Sequence, residues 1–206
     1  MRLIGMLDSP YVRRVAISLD LLDVPFTHES VSVFSTFEKF KEINPVVKAP
    51  SLICDDEILM DSSLILQFIE SAKSNGKSLW SRDPDIAVHE FRAVSLAMAA
   101  CEKSVQIVYE RNLRPLSAQY EPWIERVTGQ LLAACAGLER EVHIQPALFG
   151  ADKNQASVTA AVVWHFMQSM LAAIVPASAF PALVSLSLRM EQTSAFLKYP
   201  PNGPGV

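Results

Sequence analysis

The sequence has few cysteines and no excess of basic residues, and each shortage excludes a class of protein. Its 206 residues include 3 cysteines, Cys54, Cys101 and Cys135, too few and too scattered for a disulfide framework. None lies in a Cys-x-x-Cys pair or at ligand spacing from a second Cys or His, so no metal site is expected. The formal net charge is −4, so there is no basic excess to support phosphate contacts and no nucleic-acid partner is expected.

Long apolar runs are also missing. The most apolar region, residues 160–188, is interrupted by a histidine, a glutamine and two prolines, whereas a membrane-spanning helix needs about 18 consecutive apolar residues. The apolar run at the N-terminus is too short for a signal-peptide core and meets Asp8 at once. Together with the scarce cysteines, these features predict a soluble cytoplasmic protein without a membrane partner.

What the sequence does contain is a change of pattern near Asn75. Before it, short strand-like runs alternate with helical runs in the order β-α-β-α-β-β-α, which predicts a parallel βαβ unit followed by an antiparallel hairpin. After residue 86 long helical patterns predict an all-helical bundle. The predicted fold class is therefore α/β plus all-α, with an α/β domain at 1–75, a linker at 76–86 and a helical domain at 87–206.

Several element boundaries follow from the apolar spacing. The helix predicted at 62–72 is expected to bury Leu64, Ile65, Phe68 and Ile69. In the second half, helices are expected over residues 86–110, 120–142, 156–174 and 180–197. The last seven residues hold three prolines and two glycines, which predict an extended tail.

Three motifs mark the first 75 residues. Residues 9–15 read Ser-Pro-Tyr-Val-Arg-Arg-Val, and residues 44–52 read Asn-Pro-Val-Val-Lys-Ala-Pro-Ser-Leu. Asp61-Ser62 opens the predicted third helix. With the order of elements, these motifs resemble the serine-type glutathione transferase family, whose patterns are S-P-F/Y-x-x-R/K-V, N-P-x-x-K/Q-V/I/A-P-x-L and E/D-S. Each motif alone is weak, and their combination is specific.

The resemblance implies a thioredoxin-like domain that binds glutathione and a helical domain that shapes an acceptor site. Glutathione would be the co-substrate, a small hydrophobic electrophile the acceptor and a homodimer the assembly. In such a protein Ser9 would donate a hydrogen bond to the glutathione thiolate. Lowering a thiol pKa by about 2 units needs roughly 2.7 kcal/mol, which one charge-assisted hydrogen bond and a helix N-terminus can supply. An ordinary helix cap is the competing interpretation of Ser9.

The resemblance also assigns the other glutathione-binding residues. Ala49-Pro50 would form a cis peptide bond that presents the Ala49 backbone to the cysteinyl part of glutathione, as an added strand would. Asp61 and Ser62 would meet the γ-glutamyl end, with Ser63 in place of Ser62 if the register shifts by one. Lys48 would pair with a glutathione carboxylate. A loop proline, a helix-capping pair and a solvated lysine are the plain alternatives.

The helical half matches the family less closely. Ala97, Cys101, Val105 and Tyr109 share one face of a predicted helix, and this face, with Tyr11, is expected to line the acceptor pocket between the two halves. Such a stripe equally suits bundle core. Ser157 is expected to cap the helix at 156–174, with Ala160 where the family usually has Asp.

Two other functions stay open from the sequence. A non-catalytic member of the same fold would use its surface for protein contacts, although such members often lose the first-turn hydroxyl that Ser9 supplies here. A glutathione-dependent isomerase or thiol oxidoreductase is the second alternative. An oxidoreductase would need a cysteine at the first helical turn, where this sequence has Asp8 and Ser9.

Overall fold

The computed structural model describes residues 1–150 and 154–202. Its strands are β1 (Arg2–Ile4), β2 (Thr27–Glu29), β3 (Ser51–Cys54) and β4 (Glu57–Met60). Its helices are α1 (Pro10–Leu21), α2 (Phe37–Ile43), α3 (Ser62–Ala72), α4 (Pro84–Leu113), α5 (Glu121–Ile144), α6 (Pro146–Gly150), α7 (Gln155–Leu171), α8 (Pro181–Met190) and α9 (Ser194–Lys198). The predicted α/β half and helical half are both confirmed.

The four strands form one sheet in the order β2-β1-β3-β4. β1 runs parallel to β2 and antiparallel to β3, and β3 pairs with β4 as an antiparallel hairpin. The crossover between β1 and β2 is α1, as a parallel pair requires. This arrangement confirms the predicted βαβ unit and hairpin.

The core of the first unit lies between the sheet and helices α1 and α3. Helix α1 buries Val12, Val15, Ala16 and Leu19, which follow helical spacing. Helix α3 buries Ile65, Leu66 and Ile69, whereas Leu64 is 61% exposed. The prediction that Leu64 is buried is wrong, because the helix turns Leu66 toward the core instead.

The C-terminal end departs from the prediction. The single helix expected over 180–197 is divided into α8 and α9, and Thr193 Oγ1 donates to Met190 O at 2.7 Å where α8 ends. Helix α9 packs with the first unit, although the expected helical domain ran to residue 206. Phe196 is 1% exposed, and the Arg13 guanidinium lies 5.2 Å from the centre of its ring. Burial of the Phe196 ring stabilises the fold more than a continuation of α8, which would leave this ring in solvent.

The C-terminal segment makes further contacts with α1 and with the residues that precede β2. Arg13 Nε donates to the carbonyl oxygen of Tyr199 at 2.9 Å, and Lys198 forms an ion pair with Asp20. The rings of Tyr199 and Phe26 stack with their centres 5.7 Å apart. The described part of the predicted tail, residues 200–202, has no regular structure, and residues 203–206 lie outside the described residues.

Most of the segment predicted as a linker is ordered by side-chain contacts. Leu79 is buried in the first core, and the carboxylate of Glu70 accepts from Leu79 N at 3.1 Å and from Ser78 Oγ at 2.6 Å. The second unit begins at Trp80. Helix α4 begins at Pro84, and the Asp83 side chain caps it by accepting from Asp85 N at 2.9 Å.

Among the residues that the structure describes, the regular elements of the second unit, Trp80–Thr193, are all helices. In helix α7, every residue from Gln155 to Trp164 is buried. Its cap is Asn154, whose Oδ1 accepts from Ser157 N at 2.7 Å, so the prediction that Ser157 is the cap is wrong. Because Asn is as favourable as Ser at an N-cap, Asn154 can begin the helix three residues before the predicted cap.

In the part of the chain that the structure describes, no helix is both long and apolar enough to cross a membrane. The same residues include no group of three or more His, Cys, Asp or Glu side chains that could hold a metal ion.

Candidate functional site

The register of the sheet brings the three sequence motifs to one edge. Ile4, at the end of β1, pairs with Ser51 at the start of β3, and Ser51 pairs with Met60 at the end of β4. The segments that follow β1, precede β3 and follow β4 therefore meet at that edge. These are the segments that carry Ser9, Pro50 and Asp61.

Gly5 allows the first two segments to approach each other. It has φ +138°, and a Cβ atom on it would lie 2.6 Å from Val12 Cγ2 and 3.2 Å from Ala49 Cβ. The first turn of α1 and the residue before Pro50 thus both contact the backbone of Gly5. A side chain at this position is excluded by space and by backbone conformation.

Ser9 is the N-cap of α1, and Pro10 occupies the first helical position. Ser9 Oγ accepts a long hydrogen bond of 3.5 Å from Val12 N. That bond uses a lone pair, so the hydroxyl hydrogen is not consumed by capping. The helix N-terminus adds a partial positive charge at the same place. The position can therefore stabilise an anion while it caps the helix.

The loop before β3 is shaped by two buried polar side chains. The Ala49–Pro50 peptide bond is cis, as the resemblance implied. Asn44 Nδ2 donates to Ser51 Oγ at 2.8 Å, and its Oδ1 accepts from Val46 N at 3.0 Å. Ser51 Oγ in turn donates to the carbonyl oxygen of Lys48 at 2.7 Å. The Lys48 side chain is exposed, and Ala49 is half-buried.

Asp61 begins α3 from a left-handed backbone conformation, with φ +71°. Its Oδ1 accepts from Ser63 N at 2.9 Å and from Leu64 N at 3.2 Å, so the capping role is present. Both bonds use Oδ1, which leaves Oδ2 free of the cap. Ser62 is only 2% exposed, whereas Ser63 is exposed.

Arg14 is a residue of this region that sequence reasoning did not single out. Its guanidinium is 1% exposed, and Nη1 donates to Ser62 Oγ and to Ser63 Oγ, each at 3.2 Å. The bonds tie α1 to the start of α3. The available signal was the R/K position of the first motif, which Arg14 occupies.

The predicted acceptor residues belong to two environments. Ala97 and Cys101 are completely buried in the second unit, while Val105 is half-buried and Tyr109 is 39% exposed. Partial burial raises the pKa of the Tyr109 hydroxyl above its ordinary value. Tyr11 is half-buried in the first unit. The burial of Cys101 favours a core role for that part of the stripe.

Comparison with known proteins adds independent findings. Residues 3–77 match the family described as "Glutathione S-transferase, N-terminal domain". A "Probable maleylacetoacetate isomerase" of Caenorhabditis elegans is 33% identical over 89 residues, which cover 42% of this chain and 41% of that protein. "Glutathione S-transferase U1" of Arabidopsis thaliana is 34% identical over 84 residues, which cover 40% and 37% respectively. The chain thus matches about two fifths of the length of these curated relatives.

The whole chain also resembles solved structures. A glutathione S-transferase of Methylobacterium radiotolerans, crystallised in complex with glutathione sulfonate, matches with a TM-score of 0.85 at 24% identity, covering 100% of this chain and 96% of that one. The fold is therefore a thioredoxin-like N-terminal domain followed by a helical domain. Within the chain, residues 3–77 thus match the N-terminal domain of glutathione S-transferases, and the chain as a whole shares the fold of a solved member.

Proposed function

We propose that this protein is a glutathione transferase that transfers the glutathione thiolate to a small apolar electrophile. The observation that carries the proposal is the meeting of the three motif segments at one sheet edge. One segment supplies a hydroxyl at a helix start, another a cis-proline loop, and the last a capped helix N-terminus. The hydroxyl is complementary to a thiol, the cis-proline loop to a peptide backbone, and the helix N-terminus to the charged end of an amino acid.

In this proposal glutathione lies along the edge with its thiol at Ser9. The backbone of Ala49, ahead of Pro50, pairs with the cysteinyl residue in the manner of an added strand. The exposed side chain of Lys48 pairs with a carboxylate of the peptide. The solved relative of Methylobacterium radiotolerans, which contains glutathione sulfonate, supports the choice of ligand.

The γ-glutamyl group would be recognised at the start of α3. Its ammonium pairs with Oδ2 of Asp61, since Oδ1 is engaged in capping. Its carboxylate meets the hydroxyl of Ser62 or Ser63 and the partial positive charge of the helix N-terminus. Ser63 is the more accessible of the two hydroxyls.

Ser9 would act as a hydrogen-bond donor and never as a nucleophile. The thiol releases its proton to solvent, and the Ser9 hydroxyl donates to the resulting thiolate. The thiolate then forms a bond to the electrophilic carbon, and the leaving group departs with its electron pair or the electrons move into the acceptor. A charge-assisted hydrogen bond of about 1.5–3 kcal/mol lowers the thiol pKa by roughly 1–2 units.

The acceptor site and the assembly extend the proposal. Tyr11, Val105 and Tyr109 are the side chains we expect to meet an apolar acceptor, because each keeps some exposure. Cys101 completes the same helix stripe from its buried side. The resemblance to glutathione transferases favours a homodimer, the assembly expected from the sequence. A reducing compartment such as the cytoplasm suits both glutathione and the free cysteines.

A glutathione-dependent isomerase is the second candidate. The segment that is 33% identical to a probable maleylacetoacetate isomerase supports it. In that reaction the thiolate adds to a conjugated double bond, the single bond rotates, and glutathione leaves unchanged. A serine donor at the thiolate serves either reaction, so the acceptor decides between them.

The test is a comparison of acceptors under saturating glutathione. Activated aryl halides and epoxides report transfer, whereas a cis-alkene between two carbonyl groups reports isomerisation without consumption of glutathione. The proposal predicts that the aryl halides or epoxides give a conjugate and that Ser9→Ala lowers its rate at least tenfold at pH 7. Isomerisation without any conjugate would favour the second candidate. No reaction of either kind would favour a non-catalytic member of the fold.

A further inference from the structure

A buried cation lies beside the proposed γ-glutamyl site. The Arg14 side chain is 1% exposed and donates from Nη1 to the hydroxyls of both Ser62 and Ser63 at 3.2 Å. Removing a guanidinium from water is costly, and each hydrogen bond it makes offsets part of that cost. The buried Arg14 guanidinium, in contact with two adjacent hydroxyls, is therefore a specific feature of the start of α3.

The chemistry of the guanidinium fixes the direction of those two hydroxyls. A guanidinium has only donors, so each serine oxygen must accept from Arg14 through a lone pair. The single hydrogen of each hydroxyl then points away from Nη1 and is available to an acceptor. With both hydroxyls held as donors, the start of α3 favours an anion over a neutral or cationic group.

We propose that Arg14 is a positioning residue for the α-carboxylate of the γ-glutamyl group. It acts through Ser62 and Ser63, whose hydroxyls it holds as donors, and Ser63 carries the exposed contact. This inference rests on the proposed function, because it names how that same site recognises one end of glutathione. It makes Arg14 a determinant of ligand selectivity that lies one turn beyond Ser9 on α1.

The experiment compares two ligands by titration calorimetry. One is glutathione, and the other is 4-aminobutanoyl-cysteinyl-glycine, which lacks only the α-carboxylate of the γ-glutamyl residue. Wild-type protein is expected to prefer glutathione at least tenfold, the worth of about one charge-assisted hydrogen bond. Arg14→Met is expected to lower this preference about tenfold, with most of the loss in glutathione affinity. Arg14→Lys keeps the charge but offers a single point donor, so it should keep only part of the preference.

Arg13→Met is the matched control. Arg13 is the neighbouring residue of α1 and is 2% exposed, but it donates to the carbonyl oxygen of Tyr199 instead. Its substitution removes a buried arginine from the same helix without touching the serines. We expect it to affect both ligands equally and to leave their ratio at the wild-type value.

The outcomes separate this inference from the proposed function. An Arg14→Met protein that loses affinity for both ligands equally, or for neither, would overturn the positioning role while the glutathione site stands. If Arg14→Met does not fold, Arg14→Lys decides, and an unchanged ratio in that variant overturns the role. A wild-type protein that binds neither ligand would overturn the proposed function itself and this inference with it.

Discussion

The packing of the C-terminal helix on the first domain predicts a large and localised loss of stability on Phe196→Ala. Phe196 is 1% exposed, and its ring lies against the buried guanidinium of Arg13. Truncating a buried phenylalanine costs about 3–5 kcal/mol, including the cavity left behind. Loss of the cation–π contact is part of that cost. The variant should therefore unfold at a clearly lower denaturant concentration.

Leu197→Ala is the matched control, because it removes a large apolar side chain from the neighbouring position of the same helix. Leu197 is 62% exposed. Its substitution should change the free energy of unfolding by less than about 0.5 kcal/mol. The comparison thus separates the loss of a buried side chain from the effect of truncating a residue of α9.

Hydrogen exchange of backbone amides locates the effect. A loss of about 3 kcal/mol should accelerate the slowest amides of α1 on the order of a hundredfold in Phe196→Ala. The amides of α5 should exchange as in the wild type, since α5 lies in the other unit. Equal stability of Phe196→Ala and Leu197→Ala, or unchanged exchange in α1, would refute the packing of this helix on α1.

Two further predictions concern the helical unit. Burial raises the pKa of the Cys135 thiol from 9.0 to about 12, which leaves about a thousandfold less thiolate at pH 8 than in an unfolded chain. An aromatic disulfide reagent should label Cys135 only after denaturation, and rapid labelling of the native protein would contradict its burial. The folded protein should also lose stability as the pH rises from 9 toward 12, because only the unfolded thiol ionises in that range. Asn154→Ala should cost about 1 kcal/mol more than Asn154→Ser, because serine keeps the cap while both variants lose the hydrogen bond from Nδ2 to the carbonyl oxygen of Leu148. Urea unfolding followed by tryptophan fluorescence measures both, and equal losses in the two variants would refute the cap.

Local signals explain why much of the fold could be predicted from the sequence. Ser9-Pro10 marks a helix start through its own capping chemistry, and the bounds predicted for α3, 62–72, follow from a pattern within those residues. The convergence of the motifs follows from the parallel and antiparallel order of short strands. These features depend on neighbours in the chain, which the sequence displays directly.

The features that the sequence did not reveal depend on distant partners. Nothing near Gln192 predicts the break between α8 and α9, because helical spacing continues through it and the docking of Phe196 on α1 decides the matter. The exposure of Leu64 is likewise set by the surface against which α3 packs. Arg14 and Ser62 lie 48 residues apart, and only the fold brings them together.

The residues of the proposed site are held in place in two different ways. Ser9, Ala49 and Asp61 are placed by the backbone of three different elements, so their positions depend on the sheet edge more than on each other. Gly5 is the point where two of these elements touch. The direction of the hydroxyls at Ser62 and Ser63, in contrast, depends on a side chain from another helix.

The most direct test of the central claim is the pKa of the glutathione thiol when bound. Calorimetry establishes binding, and thiolate absorbance against pH then gives the pKa of the bound thiol. Both are measured in the wild type, in Ser9→Ala and in the control Ser71→Ala, whose serine is exposed on α3. The account predicts that all three bind glutathione and that the thiol pKa is lowered by roughly 1–2 units in the wild type and in Ser71→Ala only. An equal thiol pKa in the wild type and Ser9→Ala would remove Ser9 as the activating donor. No binding to the wild type at millimolar glutathione would contradict the function itself.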